Sequence, residues 1–157
     1  MLIDNSYKDL AIKPVSELMA ESLDSAVLYS DKLKGGVREL LLEVEDTRGK
    51  GVIVDGDKIL PTVVAVMEGV EWLLKIYNKC QFFSSRPIFN DEDNLIKTKI
   101  LSALKILVDH IETNETEYIL YDLRDELTPG LNMLDAKLKE LAKFASKRGG
   151  NSGILMQ

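Results

Sequence analysis

The chain has one cysteine, one histidine, one tryptophan and four prolines in 157 residues, and aromatic side chains make up only 6% of it. Each scarcity removes a class of chemistry. Cys80 cannot pair within the chain, which points to a reducing, cytoplasmic setting rather than a secreted scaffold. It also excludes the usual cysteine-rich structural zinc sites. His110 alone cannot supply the two Glu-x-x-His pairs of a ferritin-like di-iron centre. No apolar run approaches the ~18 residues that cross a bilayer, and no charged-then-apolar leader opens the sequence, so no membrane partner is expected. There is no Walker loop, no Gly-x-Ser-x-Gly elbow and no dinucleotide fingerprint. Catalytic residues, cofactors and metals are accordingly not expected. Basic side chains are the minority, 20 against 26 acidic ones for a formal charge of −6, which argues against a nucleic-acid partner.

What is present is helical patterning. A chain 45% apolar and of this length buries about 70% of its unfolded surface without metal or disulfide. Residues 1–13 lack a sustained period and read as an extended lead-in to Pro14. From Val15 a helical stripe runs through Leu18, Met19, Ser22, Ala26, Ser30 and Leu33, and continues in phase through Val37, Leu40, Leu41 and Val44. Gly35-Gly36 falls between the two halves, and a pair of glycines costs about 2 kcal/mol in a helix interior, so a joint is expected there. Residues 46–60 hold three glycines, an Asp-Gly signal and the β-branched run Val52-Ile53-Val54, which predicts a Gly-rich loop with room for a small hairpin.

Pro61 suits a helix start, and residues 62–82 read as a long helix closed by Ser84-Ser85-Arg86-Pro87. A further helix runs from an Asn90 or Asp91 cap to about Glu112, with Ile96, Ile100, Leu104, Leu107, Val108 and Ile111 inward. After Thr113-Asn114, with Asn114 as the cap, Leu120, Leu123 and Leu127 mark a short helix. Thr128-Pro129 restarts the chain as N-cap and N1. The last helix carries Leu131, Leu134, Leu138, Leu141, Ala142 and Ala145 on one face and ends at Gly149-Gly150. The reading is an all-α antiparallel bundle of five to six helices, one domain over residues 1–148 with a flexible tail at 149–157. Ile154-Leu155-Met156 in that tail is either a docking element or an idle end.

The helix at 62–82 is apolar almost all round. At about 100° per residue, Val63, Val66, Met67, Val70, Leu73, Leu74 and Tyr77 form a core stripe. Ala65, Gly69, Trp72, Ile76 and Phe83 form a second stripe nearly opposite. Neighbouring helices covering both flanks is the plain explanation. The functional one is a partner-binding face, with Trp72, Ile76 and Phe83 as anchors and Gly69 giving room for another backbone. Its occupant would be a helix of another protein or a second copy of the chain.

Other candidates read as structural. His110 lacks the neighbouring lysine and glycine of a phosphotransfer histidine and reads as half-exposed near a helix C-terminus. Cys80 reads as a small buried hydrophobe. Asp122, Asp125 and Glu126 could form a weak cation site, but carboxylates on one turn are usually a solvated face. Lys137, Lys139, Lys143, Lys147 and Arg148 read as a solvated face and a favourable helix end.

Two stretches, Gly69-Val70-Glu71-Trp72-Leu73-Leu74 and Tyr118-Ile119-Leu120-Tyr121-Asp122-Leu123-Arg124-Asp125-Glu126-Leu127-Thr128-Pro129, resemble a pattern of small, uncharacterised bacterial all-helical proteins, some linked by gene context to motility. They cover under a quarter of the chain. The layout also looks like that of flagellar export chaperones, helical bundles that hold an aggregation-prone helical segment of a client. The resemblance implies no site residue, and the Gly-rich loop at 46–60 departs from chaperone proportions. The leading expectation is a non-enzymatic helical-bundle protein, chaperone- or adaptor-like, that binds a partner helix or self-associates. The alternative is a small-ligand protein or enzyme with a pocket between helices, built on Tyr77, Tyr118, Tyr121 or the acidic turn.

Overall fold

The computed structural model describes residues 15–83 and 91–155, with side chains described over 17–80 and 94–145. The described residues are mostly helical and contain no strand. Four helices account for them: α1, Val15–Gly49; α2, Gly56–Phe83; α3, Asp91–Glu112; and α4, residues 116–155. The fold is all-α with fewer helices than the sequence predicts, for two physical reasons.

The first is that Gly35-Gly36 is not a joint, because α1 runs unbroken through it. Leu33, Val37, Leu40 and Val44 are all buried across the glycine pair. Each such side chain contributes about 1.5–3 kcal/mol when buried, which outweighs the glycine penalty of about 2 kcal/mol.

The second is that Thr128-Pro129 is not a start. α4 is continuous from Thr116–Tyr121 through a π-helical turn, Asp122–Leu127, into Thr128–Leu155. Proline has no N–H to give and its ring presses on the carbonyl four residues back, here that of Asp125. The wider turn lies directly ahead of Pro129, and both the N–H and the hydroxyl of Thr128 reach back five residues to the Leu123 carbonyl. Helical backbone also continues past Gly149-Gly150 to Leu155. The side chains of the expected docking tail lie outside the described residues, as do the lead-in 1–13 and the Asn90 cap.

The connections are shorter than expected. The Gly-rich segment is helical up to Gly49 and again from Gly56, so the loop is residues 50–55 and holds no hairpin. Gly51 takes φ +75, and its N–H and that of Val52 bond the Arg48 and Thr47 carbonyls, a left-handed helix stop that glycine adopts without strain. Asp55 caps α2 by accepting the Asp57 N–H at 3.0 Å. An Asp-Gly pair serves a hairpin or a helix start equally well, and here it is the start. Asn114, expected as a cap for the next helix, instead stops α3: at φ 55 it bonds the Ile111 carbonyl while the Glu115 N–H bonds that of His110.

α1 packs most extensively on α4 and also along α2, while α3 lies against α4 around the π turn. Ser30 faces Asp135 and Arg48 faces Glu117, so residue numbers rise along α1 as they fall along α4. The core joins Leu23, Val63, Leu73, Ile100, Leu107 and Leu134, among others, and includes the expected faces of the last two helices. Val108, expected inside, is exposed. A polar knot crosses this core. Asp135, 4% exposed, accepts hydrogen bonds from the buried Ser30 hydroxyl at 2.8 Å, from Lys34 Nζ at 3.1 Å and from Lys139 Nζ at 3.0 Å. Burial pushes its carboxyl pKa up, but the bonds from Lys139, Ser30 and Lys34 outweigh that and hold it below its ordinary value. Lys139 is raised in turn by its bonds to Asp135 and Asp31.

Candidate functional site

The middle of the second stripe of α2, Gly69 and Trp72, lies against α1. Gly69 is buried, and a Cβ built there would sit 2.5 Å from the Tyr29 hydroxyl and 3.0 Å from Leu33 Cδ1. The room expected for a partner's backbone holds the Tyr29 and Leu33 side chains of α1. Tyr29 lies edge-on to Trp72, ring centroids 5.2 Å apart at 75°. Trp72 keeps 41% of its surface in solvent; Ala65 is exposed and Ile76 half-buried. The side chain of Phe83 lies outside the described residues. The structure therefore brings Gly69 and Trp72 together under Tyr29.

A different face of α2 opens onto a groove that periodicity alone did not single out. Between α2 and α3, which touch only loosely, lies a hollow of about 360 Å³. Met67 and Leu74 of α2 and Leu101, Leu104 and Val108 of α3 line its floor. Leu101 and Val108 remain 48% and 41% exposed, two large apolar side chains left uncovered about two turns apart on α3. Around them stand Lys75, Lys97 and Lys105, with Glu71 the one acidic member of the lining. The visible signal in the sequence was Val108, one position too many for a single buried stripe on α3.

His110 has a partner that the sequence concealed. Its Nδ1 contacts Oδ2 of Asp122, a buried carboxylate at the first position of the π turn. The imidazole stacks on Tyr118, centroids 5.1 Å apart, and its Nε2 lies 4.0 Å from Glu115. The hydrogen bond to Asp122 raises the histidine pKa above its ordinary value of 6.5, with Glu115 and Asp109 adding to the effect. Asp122 is therefore not part of a solvated acidic face; Asp125, by contrast, pairs with Arg124 at 2.8 Å on the surface. Such a pair orients the imidazole between two carboxylates, Asp122 on Nδ1 and Glu115 near Nε2, an arrangement that favours its protonated form.

Cys80, Lys137 and Lys139 are buried or paired within the fold. Cys80 is buried, and burial pushes its thiol pKa up, away from nucleophilic thiolate. Lys137 and Lys139 pair with Glu140, Asp31 and Asp135 rather than forming an open patch. A smaller hollow of about 230 Å³ between α1 and the start of α4 is lined by Glu45, Arg48, Glu117 and Arg124, of which Arg48 and Glu117 pair with each other. Among the described residues no group of three or more His, Cys, Asp or Glu side chains could hold a metal ion. No helix among them is long and apolar enough to cross a membrane.

No protein-family model matches the chain, and no solved structure matches it. The chain is similar over 99 residues to the ribosomal protein uS12 methylthiotransferase RimO of Clostridium perfringens strains SM101, ATCC 13124 and 13, at 29% identity. That stretch is 60% of this chain and 22% of each enzyme, so the chain spans about a fifth of the curated relatives it matches.

Proposed function

We infer that the protein is a non-enzymatic helix-binding protein, an antiparallel bundle of its four helices that takes a helix of another protein in the groove between α2 and α3. The observation that carries this reading is the pair of uncovered apolar residues, Leu101 and Val108, facing Met67 and Leu74 across a hollow. Helix-in-groove recognition uses such a floor, matched by anchors at i, i+3 or i+4 and i+7 of the guest. A cytoplasmic setting and a chaperone- or adaptor-like role accord with it. The partial likeness to RimO covers too little of that enzyme to bring its activity to this chain.

The test is fluorescence anisotropy of a labelled, uncharged helical peptide, leucine on one stripe and glutamine elsewhere, titrated with the full chain. Saturable binding weakened at least about tenfold by Leu101→Asp is expected, a loss of about 1.4 kcal/mol. Circular dichroism should show the variant folded, because Leu101 is half in solvent already. Absence of binding, or binding indifferent to Leu101→Asp, overturns the reading.

A second reading keeps self-association on the shoulder formed by Trp72, Ala65 and Ile76, supported by the exposed Trp72–Tyr29 pair. Light scattering coupled to size exclusion on wild type and Trp72→Ala tests it. A wild-type dimer that becomes a folded monomer supports it; a wild-type monomer rules it out.

A further inference from the structure

The groove between α2 and α3 is apolar inside and positively charged at its edge, and this on a chain whose net charge is −6. Lys75 stands on the α2 wall, Lys97 and Lys105 on the α3 wall, against Glu71 alone. None of the three lysines forms an ion pair with another described residue, whereas Lys34, Lys50, Lys137 and Lys139 all do. Unpaired lysines beside apolar surface keep their stems on the floor and their ammonium groups at the rim.

Resting on the helix-binding reading of this groove, we propose that the guest is an amphipathic helix of another protein whose apolar stripe is flanked by aspartate and glutamate. Leu101, Leu104 and Val108 stand at i, i+3 and i+7 on α3 and take a stripe of the same spacing. Lys97 and Lys105 are eight residues apart, about 12 Å along a helix axis, so they meet carboxylates about two turns apart along the guest, Lys97 at the end of the stripe and Lys105 beside it. Lys75 meets one from the α2 wall. A guest of about three turns fills the length from Lys97 to Val108, about 16 Å at helical rise. A second copy of this chain is the poorer occupant: a two-fold pairing of groove on groove would set lysine rim against lysine rim.

The experiment compares two variants of the uncharged peptide, one with glutamate and one with lysine at the positions flanking the leucine stripe, titrated with the full chain at low and high salt. The acidic peptide should bind roughly tenfold or more tighter than the basic one at low salt, with the gap closing as salt rises. The triple variant Lys75→Glu, Lys97→Glu, Lys105→Glu, checked for helicity, should invert the preference, and Leu101→Asp should weaken both peptides. Equal binding of the two peptides, both lost in Leu101→Asp, overturns the acidic guest and leaves the groove reading standing. If no peptide binds, the groove reading falls and this assignment with it. A wild-type dimer that Leu101→Asp dissociates would put a second copy in the groove and overturn the assignment too.

Discussion

His110 and Asp122 show how much one residue's neighbour matters. The imidazole pKa is raised because the folded chain holds Asp122 against it, and the unfolded chain does not. A group whose native pKa exceeds its unfolded one contributes stability that is complete below the unfolded value, near 6.5, and is lost as pH rises through the native value. Replacing Asp122→Asn removes the charge and keeps the shape. The stability advantage of wild type over this variant should therefore be largest below about pH 6.5 and shrink on going alkaline, as followed by thermal unfolding across a pH series. In parallel, NMR titration of the single histidine should show it returning toward its ordinary value in the variant. A stability difference independent of pH would mean that the imidazole proton is not coupled to folding. The sequence could not reveal this pair: the two residues are twelve positions apart on either side of a left-handed stop at Asn114, and no helical period connects them. Asp122 reads as one of three surface acids because its partner, His110, belongs to another helix.

At the scale of the element, apolar period was a good guide and glycine and proline were poor ones. Most of the expected stripes of α1, α3 and α4 are buried, since burial needs only the right spacing; Leu18 of α1 and Val108 of α3 are the exposed exceptions. Gly35-Gly36 and Thr128-Pro129 were misread as breaks because local preference amounts to only a few kcal/mol, and packing along the whole helix exceeds it. The groove residues were half legible. Leu104 and Val108 were assigned to one inward face, and only the loose approach of α2 to α3 leaves the latter uncovered. Gly35 and Gly36 themselves have no steric excuse: a Cβ at either would meet nothing within 4 Å. Alanine at each should raise stability by about 0.5–1 kcal/mol, measured by denaturant unfolding, with the slope against denaturant unchanged. A loss of stability would show that the pair serves a purpose the packing does not display.

At the scale of the whole molecule, α4 packs against both α1 and α3, and the main partner of α1 is thus the last of the four helices in sequence. The ties between them span very long stretches of sequence: Ser30 to Asp135 is 105 residues, Lys34 to Asp135 is 101, and Asp31 to Lys139 is 108. Contacts of such separation form late and slow the search for the native state. During synthesis α1 precedes α4 and must wait for its main partner until residues past 135 have left the ribosome. The interval before α4 arrives is when a growing chain of this kind is open to misassociation with its neighbours, and the charged knot around Asp135 is the latch that closes it.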